Sequence, residues 1–217
     1  MIDHLRQKWN ARYADAEGPG EPAAVLAENL HLLPHGGAAL DLACGLGANA
    51  CLLARRGLET SAWDVSDVAI ERLTERAEAQ GVTVHVQVRD VAACPPEPAS
   101  FDVIVVARFL ERDLANAIMQ ALRPGGLLFY QTFVRDAVDP GIGPPDPTYR
   151  LAVNELLALF RPLQVIVYRE EGTVGDTSRG FRNEAMYIGR KASGGSARGA
   201  RPGHPVFDTR YWLYVPD

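Results

Sequence analysis

The residues able to do chemistry in this 217-residue chain gather in short segments that each close an apolar run. Asp41-Leu42-Ala43-Cys44-Gly45-Leu46-Gly47-Ala48-Asn49-Ala50 sets an acid four residues ahead of the first of two glycines. Gly45 and Gly47 allow positive φ and let backbone amides approach a ligand closely. The G-x-G-x-x-A spacing alone suits several nucleotide-binding turns, dinucleotide sites among them. Asp41 speaks against a dinucleotide. A carboxylate there accepts hydrogen bonds from loop amides or meets a ligand ammonium, and it offers nothing to a diphosphate. No Lys or Arg flanks the turn to balance such a group, and about forty residues precede it. The plainer alternative is a turn that serves only strand–helix packing.

Two more acids stand in equivalent places. Asp64 lies seventeen residues after Gly47, at the end of Thr60 to Trp63, where a carboxylate can accept both hydroxyls of a ribose. Its competing role is to cap the following helix, for which Ser66 and Asp67 also qualify. Asp90, in Val88-Arg89-Asp90-Val91, can accept from an adenine amine while Val91 packs the ring, or it is a loop acid paired with Arg89. Arg108, Arg112, Arg179 and Arg182 fall in segments expected near the same mouth. They form an anion-recognition set, or else a group of solvated surface arginines. His85 sits on an alternating run and reads as surface or packing, and Cys44 reads as structural.

The elements that must carry these residues alternate in type. Apolar runs at 38–43, 60–63, 82–88, 101–107, 127–133, 163–169 and 185–189 read as strands. Helical spacing covers 49–56, the stretch from Ser66 to Gly81, 113–122 and 154–160, with Gly57 placed as a terminating glycine. Strands separated by helix-length segments imply a mostly parallel sheet covered on both faces. The last two strands are joined through Glu170 to Asn183 without a helix, which permits an antiparallel pair. An open sheet of this kind meets its ligand at the carboxyl ends of its strands.

Composition closes off several classes. Hydrophobic residues at 47% and charged residues at 23% match a globular domain, and a net charge of −5 argues against a nucleic-acid partner held by a broad basic field. No run of eighteen apolar residues exists, and MIDHLRQKWN holds no apolar signal core. Cys44, Cys51 and Cys94 cannot all pair and form no CxxC, so we expect a reduced, cytoplasmic, membrane-free protein without structural metal. The domain is expected to span 1–191. Residues 192–217 read as a flexible linker followed by an aromatic tail, Val206 to Val215, which docks on the body or is a cloning remnant.

LDLACGLGANA, WDVS at Trp63 to Ser66, RDV at Arg89 to Val91, FDVIVV at Phe101 to Val106 and LRPGGLL at Leu122 to Leu128 occur in order at the strand ends. On these pieces the chain, from about Trp9 to Lys191, resembles the class I S-adenosylmethionine-dependent methyltransferases. Within them it is most similar to the bacterial tellurite-resistance/thiopurine-type small-molecule enzymes, on Trp9-Asn10-Ala11-Arg12-Tyr13, Arg108 to Arg112 and Gln131-Thr132-Phe133. The resemblance implies a Rossmann-like, doubly wound seven-stranded α/β sheet, mostly parallel with an antiparallel last strand.

The same resemblance implies S-adenosyl-L-methionine as cofactor. Gly45 and Gly47, with Ala43, would line its methionine part, and Asp41 would lie near its amino group. Asp64 with Val65 would hold the ribose, Asp90 and Val91 the adenine, and Ala107-Arg108-Phe109 the floor beside the sulfonium. Trp9, Arg12 and Tyr13 would form a lid, or one amphipathic helix packed on the sheet. Arg108 and Arg182 would position the acceptor. The fourth strand ends in Ala-Arg-Phe and lacks the Asn/Asp-Pro-Pro-aromatic sequence used on base amines, which disfavours nucleic-acid methylation. No His-Arg pair of the tellurite enzymes stands around Glu170-Glu171-Gly172, which sets tellurite aside. The reading is therefore a methyltransferase acting on a small-molecule acceptor, as a monomer or homodimer. Its rivals are an NAD-dependent oxidoreductase and a non-catalytic S-adenosylmethionine-binding module whose partner engages the tail.

Overall fold

The computed structural model describes residues 2–18 and 20–194, so the expected aromatic tail lies outside the described residues. Its strands are β1 (Ala38–Leu42), β2 (Glu59–Asp64), β3 (Val84–Val88), β4 (Phe101–Ala107), β5 (Leu122–Phe133), β6 (Gln164–Arg169) and β7 (Glu184–Arg190). The helices are α1 (Ile2–Ala14), α2 (Ala24–Ala27), α3 (Ala48–Arg55), α4 (Asp67–Ala79), α5 (Ala115–Ala121) and α6 (Glu155–Leu159). One seven-stranded sheet runs in the order β3-β2-β1-β4-β5-β7-β6. Pairs from β3 to β5 are parallel, and β7 is antiparallel to both β5 and β6, as the direct link implied.

The alternation of the central strands assigns their side chains to two cores, and a third, smaller one lies between β2, β3 and the helices α3 and α4. Leu40, Leu42, Ile104, Val106, Tyr130 and Tyr187 face α5 and α6, joined there by Ile118, Leu156 and Phe160. Ala39, Val103, Val105, Phe129 and Ile188 face the opposite way and meet Val25, Leu26 and Leu53. Full burial on both faces explains why β4 reads as one continuous apolar run. Order reverses between β1 and β4, so the ends of those strands form the switch point.

Helix ends follow local chemistry. Ser66 caps α4 by accepting from the Ala69 amide at 3.1 Å, and Gly57 and Gly81 take positive φ after α3 and α4. Lys191 Nζ donates to the carbonyls of Met119, Gln120 and Leu122 and so terminates α5 from across the sheet. Two elements differ from the sequence reading. β5 begins at Leu122, five residues before the expected start, because Leu122 pairs with Phe101 and the Pro-Gly-Gly segment is a bulge within the strand. The four-residue α2 carries too little periodicity to be seen in sequence.

Candidate functional site

β1 delivers the glycine loop. Past Leu42 the chain enters the left-handed region at Ala43 (φ 55°) and Gly45 (φ 51°), and Gly47 (φ 75°) begins α3. A non-glycine residue there stores strain of about 1–3 kcal/mol, which the surrounding contacts must hold. A Cβ on Gly47 would run into Leu73 of α4, so that glycine permits close helix packing. A Cβ on Gly45 would come within 2.9 Å of the Tyr13 hydroxyl. Gly45 therefore faces the mouth of the site and Gly47 faces the core.

Asp41 lies beneath the loop, 1% exposed. Its Oδ2 accepts from the Ala50 amide at 3.0 Å, while Oδ1 is buried without a partner. Burial pushes its carboxyl up to about 8, against the pull of Ala50 and Asn49. Asp64, closing β2, accepts from the amides of Gly45 and Ser66, each at 2.9 Å. Burial raises its carboxyl as well, opposed by those amides. Each oxygen of Asp64 has given one lone pair to the backbone and keeps another. Asp90 Oδ1 accepts from Ala92 at 3.0 Å and Ala93 at 3.3 Å, beside the buried Val91. Among the described residues none of the three acids pairs with an arginine or lysine. Arg89 lies over the Trp63 ring at 4.0 Å and donates to the carbonyls of Cys94 and Pro95, leaving Asp90 alone.

α1 covers this row. Trp9 and Tyr13 stack at 5.7 Å, and Arg12 lies 5.6 Å from the Trp9 ring. Burial, followed by the nearby Asp64 carboxylate, pushes the Tyr13 phenol up. The helix is tied down by Asn10, which accepts from Ser66 Oγ at 2.6 Å and donates to Asp67 at 2.5 Å, and by Arg72 on the carbonyls of Tyr13 and Ala16. The sequence reading quoted Asn10 within the N-terminal segment but gave it no role. Its signal was a position one helical turn before Tyr13, on the same face.

The arginines divide. Arg112 is held bidentately by Glu155 (2.6 and 3.1 Å) and also reaches the Thr148 and Arg150 carbonyls. Arg182 donates to the carbonyls of Glu171, Gly172, Asp176 and Arg179, so its guanidinium organises its own loop and is not directed at an acceptor. Arg179 is exposed on that loop. Arg108, next to the half-buried Ala107, has φ 55° and gives its Nε–H to Glu184 at 3.0 Å. Glu184 in turn accepts from Gln131, whose Oε1 accepts from the Val25 amide at 2.7 Å. Nothing in the sequence marked Glu184. Its partners, Arg108 and Gln131, come from two distant segments.

A methyltransferase-domain family model matches residues 39–126, the stretch that holds the glycine loop and all three acids. That stretch, less than half of the chain, is similar to a methyltransferase domain. It is 30% identical over 136 residues to a ubiquinone biosynthesis O-methyltransferase of Xanthomonas axonopodis pv. citri, covering 57% of each chain. It is 34% identical over 101 residues to the enzyme of that name from Methylocella silvestris, covering 44% of this chain and 40% of the relative. The chain thus spans little more than half the length of these curated relatives at most. TehB from Haemophilus influenzae superposes with a TM-score of 0.64 at 20% identity, over 86% of this chain and 66% of that one. At that identity the likeness is one of fold. The matched stretch ends before Arg108's partners Gln131 and Glu184 begin.

Proposed function

We propose that this chain binds S-adenosyl-L-methionine along Asp41, Asp64 and Asp90 and passes its methyl group to a small-molecule acceptor. The observation that carries the reading is the buried, partnerless Asp41 Oδ1 beneath an amide-rich glycine loop. Such an atom costs free energy unless a donor arrives, and a ligand ammonium is the donor that fits. The spare lone pairs of Asp64 suit two ribose hydroxyls, and Asp90 with Val91 offers an acceptor beside an apolar wall.

Bound there, the cofactor supplies an electrophilic methyl on a sulfonium whose charge disappears as transfer proceeds. The protein's own part is orientation and exclusion of water. Ala43, Gly45 and Val65 border the ligand, and the Trp9–Tyr13 stack closes over it. Tyr13 stands over Gly45, so its ring lies against the glycine loop at the methionine end of the site. The acceptor approaches over Ala107 and Arg108. Its class is set by the curated relatives' O-methyl transfer only as a starting point for screening.

A net charge of −5 supports a small-molecule acceptor over a nucleic acid. Three unpaired cysteines support a reducing cytoplasmic setting, and no helix among the described residues is long and apolar enough to cross a membrane. The protein acts as a monomer or homodimer.

Calorimetric titration with S-adenosylmethionine, S-adenosylhomocysteine and NAD in parallel tests the reading. Micromolar binding of both adenosyl ligands with no heat from NAD is the expected result. NAD binding alone would overturn it and return Asp41 to a packing role.

A further inference from the structure

Of the four arginines near the mouth, Arg112 and Arg182 have their guanidinium groups committed to protein acceptors. Arg108 is built differently. Its side chain is 58% exposed, and Nε alone is bonded; among the described residues neither terminal nitrogen has a protein partner. The residue holds a left-handed backbone at the end of β4, at the switch edge, with its amide on the Gln131 carbonyl at 2.7 Å.

What fixes it is buried. Glu184 has a side chain only 10% exposed, and both its oxygens are taken, one by Arg108 and one by Gln131. Gln131 is 2% exposed and anchors on the Val25 amide. β7 runs antiparallel to β5, so Glu184 pairs with Phe133 and arrives at the edge where the parallel strands end. A buried carboxylate needs a strong reason to be kept charged among hydrogen-bonding partners. Here it holds one edge of a guanidinium so that the other edge, a fork of two nitrogens, points outward.

We infer that the acceptor carries a carboxylate gripped by the two terminal nitrogens of Arg108, with Glu184 and Gln131 as positioning residues. This rests on the methyltransferase reading above and names its substrate class. A guanidinium fork matches the two oxygens of a carboxylate, a geometry lysine does not supply. Phe109, half-buried next to it, and Phe133 at the end of β5 place aromatic surface on the same edge, which suits an acceptor with an apolar body.

The test uses benzoate and its neutral isostere benzamide as probes, titrated at low ionic strength into protein saturated with S-adenosylhomocysteine. Wild type is expected to favour benzoate by at least about tenfold, and Arg108→Gln to lose that preference. Glu184→Gln should weaken benzoate by about three- to tenfold alone, and add nothing in the Arg108→Gln background. A purely structural role would instead weaken both backgrounds alike, and that result overturns the positioning assignment. Glu184→Asp, which draws the carboxylate back by one methylene, gives the same readout should Glu184→Gln not fold. Wild type that takes S-adenosylhomocysteine but binds both probes equally overturns this inference alone. Failure to take S-adenosylhomocysteine overturns the cofactor reading beneath it.

Discussion

The two flanks of the sheet hold their loops by opposite means. On the β1–β3 flank, carboxylates collect backbone amides: Asp41 takes Ala50, Asp64 takes Gly45 and Ser66, and Asp90 takes Ala92 and Ala93. On the β5–β7 flank, guanidinium groups collect carbonyls. Arg150 reaches those of Val134, Pro140, Ile142 and Pro144, and Arg182 those of four residues of the next loop. A carboxylate that has accepted one amide per oxygen still has lone pairs to offer a ligand, whereas Arg150 and Arg182 have used their donors on the backbone. On the proposed reading the first flank recognises the cofactor, and the second shapes the wall opposite. Arg108, at the seam, is the exception that keeps donors in reserve.

The comparison breaks most severely at Gly47. Gly47→Ala should cost roughly 2–5 kcal/mol, since it adds a Cβ against Leu73 and a side chain at positive φ. Denaturant melts would register this, and a change below half a kcal/mol would mean that α4 is less firmly packed than described. Arg150→Met is the matching lesion on the other flank. It frees four carbonyls from a residue only 6% exposed, a loss of about 2–4 kcal/mol. Hydrogen exchange should show residues 134–151 losing protection while β1–β3 and cofactor affinity stay as they were. Loss of both together would deny that the flanks are independent.

Asp64→Ala sharpens the contrast on the recognising side. S-adenosylhomocysteine should bind more weakly by about 1.5–3 kcal/mol, and unchanged calorimetric affinity would remove the ribose assignment. The smallest effect is protonic. Burial pushes the Asp41 carboxyl up to about 8, so below that pH it holds a proton that an incoming ammonium must displace. Affinity should rise between pH 6 and 8, by at most about tenfold per unit, and Asp41→Asn should flatten the rise. The same proton works on stability with the opposite sign. The folded state retains it where the unfolded carboxyl has lost it, so ligand-free melting temperature should fall as pH climbs from 4 toward 8.

Legibility in sequence follows the same divide. Asp41, Gly45, Asp64 and Ser66 could be read because a strand, a turn and a capped helix are consecutive in the chain, and each residue acts within that unit. The seven strands and the antiparallel β7 were visible for the same reason. Gln131 meets Val25 across 106 positions and Glu184 meets Arg108 across 76, and no local pattern announces such pairs. The arginines were visible as residues while their partners were not. A guanidinium that organises a loop and one that awaits an anion look alike in sequence.

The shortage of lysine has a practical side. Lys8 and Lys191 are the lysines of the whole chain, and Lys191 is engaged by three carbonyls at the end of α5. Lys8 is exposed on α1, 5.9 Å from the Trp9 ring. A side-chain amine label applied to the native protein would therefore settle mainly on the covering helix, next to a natural fluorophore. The fold thus carries an optical handle on any movement of α1 without any engineered residue.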